Sequence, residues 1–175
     1  MTGRHNDLVV AVYPHARGFA YVVFEGPLSP IDWGMSDLPA KWKTRRCLHR
    51  LSLLLDRYQP DALLLRGVSN AHRKGSIAAL LAAIKEKARV RGLFTATVSR
   101  KQIREAFAYL GSPTRRAIVE AIAKHVPTFA SYVPPIRKIW NGEDRRMGLF
   151  DAIAVALAFY KNERADETPE RLVTA

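Results

Sequence analysis

The chain has 175 residues, of which 48 % are hydrophobic and 25 % are charged. This length and balance predict one compact globular domain and exclude a fibrous repeat, wholesale disorder or a disulfide-rich scaffold. The single cysteine, Cys47, excludes an internal disulfide, and the apolar run in the first 14 residues is too short for a signal peptide or a membrane span. We therefore expect a soluble cytoplasmic protein.

Charge is the strongest feature of the composition. Lys and Arg number 28 against 16 Asp and Glu, which gives a net charge of +12. The excess is concentrated in residues 39–124, which hold 19 basic and five acidic groups and carry +14. A localised basic surface of this size is typical of proteins that bind nucleic acid. The alternatives are a solvated basic face and, with less support, binding to anionic lipid.

The spacing of apolar residues and of Gly and Pro predicts ten elements. They are strands at 8–13, 19–24 and 31–35, a helix at 41–58, a strand at 61–67, a helix at 75–91, a strand at 93–98, and helices at 100–109, 114–125 and 143–161. Pro14 and Gly18 are expected in the turn of the first hairpin, Ser99 and Gln102 in a capping box, and 126–137 in a loop. Residues 1–162 form the predicted domain and 163–175 a solvated tail.

Three antiparallel strands followed by right-handed βαβ crossovers predict a mixed five-stranded sheet flanked by helices. That order is the RNase H-like architecture, although other mixed α/β folds also fit. Five segments make the likeness more specific. The segments VVAVYPHARGFAYVVFEG, QPDALLLRGV, GLFTATVSRKQIREAF, TRRAIVEAI and GLFDAIAVALAFY together resemble, in this order, Holliday-junction resolvases of the RuvC type. In this resemblance Arg104 and Arg115 fall on the two lysines of that family.

The resemblance implies a two-metal nuclease site, because such enzymes hold divalent ions with several carboxylates. At the corresponding positions this sequence has Tyr13, Arg66 and Gly148, and only Asp151 remains acidic. One carboxylate beside a guanidinium is a poor Mg²⁺ site. The resemblance therefore implies a DNA-binding relative without the nuclease chemistry of the family, with no cofactor, and a homodimer by family analogy.

Asp151 has two interpretations. In the first it is a remnant of the acidic site, with Arg66 as its counter-charge and a hydrogen bond donated by the Tyr13 hydroxyl. In the second it is a solvated charge on a helix edge.

An active but divergent endonuclease is the alternative function, with Mg²⁺ or Mn²⁺ held by Asp151 and by Glu143, Asp144 or Asp61. A scaffold subunit of a nucleoprotein complex is another. Glu143 and Asp144 also suit a helix N-terminus, with Asn141 as a cap candidate.

Three groups of basic residues are the expected phosphate contacts. They are Lys41, Lys43, Arg45 and Arg46 at the start of the first long helix, Arg73 and Lys74 after the central strand, and Arg100, Lys101, Arg104, Arg115 and Arg116 around the next crossover. His15 and His72 are expected in loops near the same cleft. Trp42 and Trp140 are candidates for stacking on an unpaired base, although the core is the expected place for each.

Overall fold

The computed structural model describes residues 7–15, 17–67 and 75–167. Five strands form one sheet: β1 (Leu8–His15), β2 (Gly18–Glu25), β3 (Pro30–Asp37), β4 (Ala62–Arg66) and β5 (Phe94–Val98). Their order across the sheet is β3-β2-β1-β4-β5. The first three strands pair antiparallel, whereas β4 pairs parallel with both β1 and β5. The predicted mixed sheet is therefore confirmed.

Helices cover both faces of this sheet. They are α1 (Lys43–Tyr58), α2 (Ser76–Val90), α3 (Arg100–Ala106), α4 (Arg115–His125) and α5 (Arg146–Glu167). Side chains alternate along each strand, so the sheet has two apolar faces. Val10, Val12 and Leu63 pack with α1 and α2. Val9, Ala11 and their neighbours on the opposite face pack with α3, α4 and α5.

Several boundaries differ from the sequence prediction for local reasons. Pro14 lies in β1 opposite Phe19 and not in the turn. A proline is tolerated there because the pairing of β1 with β4 ends at Val12, which leaves one edge of β1 without a ladder to break. The predicted helix at 100–109 is shorter, since α3 ends at Ala106 and a separate 3₁₀ turn covers Ala108–Leu110. The capping box of Ser99 and Gln102 is confirmed.

The C-terminal third also differs from the prediction. Part of the predicted loop is a 3₁₀ helix, Pro127–Tyr132, because a proline fits the first turn of a helix, where its missing N–H is not needed. The last helix begins three residues later than predicted and continues to Glu167, through the helix-forming residues of the segment expected as tail. Residues 168–175, like Arg73, Lys74 and His72, lie outside the described residues.

Candidate functional site

Strand alternation places Tyr13 and Arg66 on the same face of the sheet. Tyr13 follows Val9 and Ala11 on the α5 side of β1, and Arg66 follows Ala62 and Leu64 on the α5 side of β4. Both residues stand one position beyond the paired Val12 and Leu65. The apolar rows that pack against α5 therefore end in a phenol and a guanidinium at the carboxyl ends of two neighbouring parallel strands.

Asp151 faces these two residues from α5 and is 9 % exposed. The helix approaches the sheet closely at Gly148, one turn earlier, where an added Cβ would lie 3.3 Å from the His15 ring and 3.6 Å from the Ala20 Cβ. A glycine at this position lets the helix pack directly on β1 and β2, which brings the Asp151 carboxylate to the end of the sheet. The interpretation of Asp151 as a solvated charge on a helix edge is therefore wrong.

Two arginines surround the Asp151 carboxylate. Arg115, the first residue of α4, donates from Nε to Oδ1 at 3.2 Å and from Nη2 to Oδ2. The Nη1 atom of Arg66 lies 3.6 Å from Oδ1. The predicted proximity of Arg66 and Asp151 is confirmed, but the bidentate partner of Asp151 is Arg115, for which the sequence predicts a phosphate contact. A buried carboxylate requires such compensation, since its desolvation is costly.

Tyr13 interacts with Arg66, and the hydrogen bond predicted from the Tyr13 hydroxyl to Asp151 stays a prediction. The Nη1 atom of Arg66 donates to the Tyr13 hydroxyl at 3.4 Å, so the phenol oxygen is an acceptor. The Arg66 Cζ also lies 5.4 Å from the centroid of the Tyr13 ring, within the range of a cation–π contact. Burial raises the pKa of Tyr13 above its usual value, and the nearby charge of Asp151 raises it further. The phenol is therefore neutral near pH 7.

The other candidate metal ligands do not complete a site with Asp151. Glu143 accepts a hydrogen bond from Nη1 of Arg115, so one guanidinium joins two carboxylates. Asp144 accepts from the backbone and the guanidinium of Arg146, which lowers the pKa of its carboxyl. Asp61 accepts from the backbone N–H of Leu8 at the other end of the sheet, about 16 Å away along β4.

These contacts decide whether the residues suit a divalent ion. Within residues 7–15, 17–67 and 75–167, no three His, Cys, Asp or Glu side chains are grouped as metal ligands. Guanidinium groups already bind the Asp151 and Glu143 carboxylates and would repel a cation. The residues present do not fit Mg²⁺. The expectation that Asp144 complements the start of α5 is confirmed, whereas Asn141 is wrong as its cap, because it lies in the preceding turn.

A cleft of about 640 Å³ opens beside Asp151 between α3, α4 and α5. Four arginines line it, and the carboxylates of Glu105 and Asp151 are the acidic groups that line it with them. The four are Arg66, Arg100, Arg104 and Arg115. Ile103, Val119 and Phe150 contribute apolar surface to the same cleft. An excess of guanidinium groups in a partly enclosed space favours an anionic ligand, and arginine matches the geometry of phosphate oxygens.

The remaining basic residues divide into exposed and engaged ones. The exposed side chains are Lys41, Arg45, Arg46 and Lys101, of which Lys101 also pairs with Glu105 at 3.7 Å. Arg116 is held on its own helix by Glu120 at 2.7 Å and also donates to the backbone oxygen of Pro134. Lys43 contradicts the prediction of a phosphate contact, because it is buried and donates to the backbone oxygen of His15. Burial also lowers the pKa of the Lys43 ammonium.

His15 and two tryptophans also differ from expectation. His15 is the last residue of β1 and not part of a loop, and burial together with the charge of Lys43 lowers the pKa of its imidazole. Trp42 is 43 % exposed and Trp140 is 78 % exposed, so neither occupies the core. Composition and spacing gave no signal for this exposure. The basic neighbours Lys41 and Lys138, each near a tryptophan ring, are the only hint that the sequence offered.

No protein-family model matches the sequence, and no curated protein matches it significantly. Solved structures match its fold along nearly its whole length. RuvC of Thermus thermophilus is 18 % identical, with a TM-score of 0.66 over 91 % of this chain and 96 % of that protein. The fold is that of the RuvC-type Holliday junction resolvases.

Two further similar structures are complexes with Holliday junctions. Thermus thermophilus RuvC in complex with a Holliday junction is 16 % identical, with a TM-score of 0.64 over 90 % of this chain and 95 % of that protein. The fowlpox virus resolvase with Holliday junction DNA is 15 % identical, with a TM-score of 0.54 over 89 % of this chain and 98 % of that protein. In this RuvC-type fold, no helix of the described residues has the length and apolar character to cross a bilayer.

Proposed function

We propose that the protein binds branched or duplex DNA through the arginine-lined cleft and its basic surroundings, and that it does not cleave DNA by the two-metal reaction. The observation that carries the proposal is the pairing of Asp151 with Arg115 and Arg66 inside a cleft lined by four arginines. The RuvC-type fold supports DNA as the ligand, because two similar proteins are solved in complex with Holliday junctions.

The charges explain how such a cleft would hold DNA. Arg100 and Arg104 line one wall, and Arg115 lies 41 % exposed at the other, so its guanidinium reaches solvent while it holds Asp151. Phosphate oxygens bind arginine in the same bidentate geometry as carboxylates do. A DNA backbone entering the cleft therefore meets Arg100 and Arg104 on one wall and, on the other, the remaining N–H groups of Arg115, whose guanidinium Asp151 and Glu143 hold in place. The exposed Lys41, Arg45, Arg46 and Lys101 extend the positive field around it.

The same contacts argue against a hydrolytic metal centre. The resemblance to RuvC-type resolvases puts Tyr13, Arg66 and Gly148 where those enzymes carry acids. A phenol with a raised pKa and a guanidinium supply no anionic oxygen at neutral pH. The Asp151 carboxylate that remains is already neutralised by Arg115. The proposed role is therefore recognition or protection of a DNA structure.

Binding and cleavage are tested on the same substrates. A four-way junction, a duplex and a single strand of matched length are titrated at 50 to 300 mM NaCl, and then incubated with Mg²⁺ or Mn²⁺. We expect salt-dependent binding with a log–log slope of about −5, for five or six phosphates, and no cleavage. Failure to bind any of the three overturns the proposal. Metal-dependent cleavage that is lost in Asp151→Asn would instead establish the divergent endonuclease.

Two further proposals concern the cellular location and the oligomeric state of the protein. Cys47 is a free, buried cysteine in α1, which suits a reducing compartment, and we assign the protein to the cytoplasm. By analogy with RuvC-type resolvases we also propose a homodimer. Sedimentation of the protein alone and with a junction tests the second point, and a monomer in both conditions contradicts it. A stoichiometric protein partner after purification would favour the scaffold function.

A further inference from the structure

A turn before α5 exposes large apolar side chains to solvent. Ile136 is 83 % exposed, Ile139 is 95 % exposed and Trp140 is 78 % exposed. Each of these values exceeds the exposure of any other large hydrophobic residue in the described ranges. Three such side chains within five residues form a contiguous feature, and surface clusters of this kind usually contact a ligand or a partner. We name residues 136–141 the Trp140 turn.

Hydrogen bonds give the Trp140 turn a defined shape. The backbone N–H of Asn141 donates to the oxygen of Lys138 at 3.0 Å, which closes the turn around Ile139 and Trp140. The Nε atom of Arg137 donates to the Asn141 oxygen at 2.7 Å and braces the turn from outside. The two apolar side chains at the tip are thus presented on an organised backbone, which reduces the entropy lost when a ligand binds.

The Trp140 turn lies near Arg115. Gly142 and Glu143 line a second cavity of about 370 Å³ together with Tyr13 and Arg115. Trp140 precedes Gly142 by two residues, so their Cα atoms are within about 7 Å of each other. The tip of the turn therefore lies near a cavity that Arg115 lines.

Charge identifies the ligand that suits the turn. Arg137 and Lys138 lie within it, and the Lys138 ammonium is 5.8 Å from the centroid of the Trp140 ring. Aromatic rings interleaved with basic groups are typical of surfaces that stack on bases while binding phosphates. A protein partner would more often meet an apolar patch depleted of lysine. The basic turn next to the arginine-lined cleft therefore favours nucleic acid.

We propose that the Trp140 turn is a base-stacking wedge: Trp140 stacks on an unpaired or terminal base at a branch in the DNA, and Ile139 packs against the same base or its neighbour. This inference rests on the proposed function, since the cleft must first bind the DNA backbone. It adds a structural preference, because a continuous duplex offers no open base face to an aromatic ring unless it is unstacked at a cost. The wedge would thus select branched over continuous DNA.

The test compares variants on two DNAs that differ only in having a branch, with 2-aminopurine at the branch point. Trp140→Ala is the main variant, Trp140→Phe retains an aromatic face, and Leu53→Ala truncates an apolar residue that is 55 % exposed on α1. We expect Trp140→Ala to weaken branched-DNA binding about 10-fold and duplex binding less than twofold. Trp140→Phe should remain within about threefold of the parent, and Leu53→Ala should equal it. The 2-aminopurine fluorescence should be quenched by the parent, by Trp140→Phe and by Leu53→Ala, but not by Trp140→Ala.

Each other outcome has a definite meaning. Equal loss on both DNAs, or no loss on either, overturns the wedge while leaving DNA binding by the cleft intact. Dissociation of a dimer by Trp140→Ala with unchanged DNA binding overturns it in favour of a protein contact. Failure of the parent protein to bind either DNA overturns the proposed function and the wedge together. Because Trp140 is exposed, all variants should show the unfolding midpoint of the parent, which removes misfolding as an explanation.

Discussion

Arg115 binds both carboxylate oxygens of Asp151, although the two residues lie 36 positions apart on different helices. The Asp151 side chain is 11 % exposed and that of Arg115 is 41 % exposed, so the pair is intermediate between a surface and a buried ion pair. Arg66, from the sheet, lies near the same carboxylate and supplies a second positive charge. The pair links α4 to α5 at the place where the sheet ends, and it orients the guanidinium that we assign to DNA.

The first prediction concerns the stability that this pair provides. Arg115→Ala should lower the free energy of unfolding by about 1–3 kcal/mol, because a mostly buried carboxylate loses its two donors. Arg66→Ala should cost less, about 1 kcal/mol, since Arg115 still neutralises Asp151. Urea denaturation of the single variants and of each combined with Asp151→Ala gives the coupling energies. A larger loss for Arg66→Ala than for Arg115→Ala would contradict the arrangement.

The second prediction distinguishes DNA binding by the cleft from DNA binding that follows the net charge of the protein. Arg100→Ala with Arg104→Ala removes two cations from the cleft wall, whereas Arg89→Ala with Arg91→Ala removes two from the end of α2, next to the start of β5. Both pairs change the net charge equally. We expect the first pair to weaken DNA binding and to make the log–log salt slope shallower by about 1.8, and the second to change it little.

Fluorescence anisotropy at four NaCl concentrations measures both slopes. Arg89 and Arg91 already pair with Glu86 and Asp56, so their removal also tests whether engaged surface arginines matter. Equal effects of the two pairs would mean that DNA binding follows net charge and not the cleft.

The sequence predicted what depends on periodicity and order. Continuous apolar strands and their crossovers were sufficient for the mixed sheet, and the resemblance to RuvC-type resolvases was sufficient to place Asp151 near Arg66. The role of Arg115 was missed because it depends on how α4 packs on α5, which no local pattern encodes. It also depends on the fact that an arginine suits a phosphate and a carboxylate equally.

The sequence also did not predict correctly which single side chains are buried. Lys43 lies in a basic run that is otherwise exposed, and only the packing of α1 against the sheet turns its ammonium towards the His15 carbonyl. Trp140 was expected in the core because tryptophan is usually buried, but it lies in the turn that the Asn141 N–H and the Lys138 oxygen close, where it is 78 % exposed. Both errors reflect tertiary context overriding the average behaviour of a residue type.

The third prediction concerns stability at alkaline pH. Tyr160 is buried, donates to the backbone oxygen of Asp7 at 2.6 Å and accepts from the Gly26 N–H at 3.2 Å. Burial raises the pKa of Tyr160 above the usual 10.0, as it does for Tyr13. Above pH 10 the unfolded chain therefore releases phenolic protons that the folded protein retains, so the free energy of unfolding falls as the pH rises.

Tyr160→Phe tests this dependence. The variant should lose about 0.5–1.5 kcal/mol at pH 7, because the hydroxyl's hydrogen bond to the Asp7 oxygen is lost while the Gly26 N–H still donates to that oxygen at 2.7 Å. Its stability should fall less steeply above pH 10. Tyr109→Phe is the matched control, since Tyr109 is 58 % exposed. Urea denaturation at intervals from pH 8 to 11 provides the curves. A parent protein whose stability is constant from pH 9 to 11, or a Tyr160→Phe curve parallel to that of the parent, would contradict the prediction.

The last prediction restores acids to the end of the sheet. Tyr13→Asp combined with Arg66→Glu puts two carboxylates on the face that Asp151 already occupies and removes one cation from it. Three anionic oxygen groups then approach the ligand set that Mg²⁺ prefers, although Arg115 still competes for Asp151. We expect 10 mM Mg²⁺ to stabilise this variant by about 1.4 kcal/mol, the value for a Kd near 1 mM, and adding Arg115→Ala to increase the effect.

The charge-neutral variant Tyr13→Asn with Arg66→Gln is the control and should show no such response, and neither should the parent protein. Thermal unfolding at increasing Mg²⁺ concentration, checked by isothermal titration calorimetry, measures the effect. A carboxylate at Gly148 would not be a simple addition, because its Cβ would already lie 3.3 Å from the His15 ring and the histidine would have to move. Stabilisation of the parent protein by Mg²⁺ that disappears in Asp151→Asn would show that Asp151 binds metal despite Arg115. That result would contradict the hypothesis that the site holds no metal.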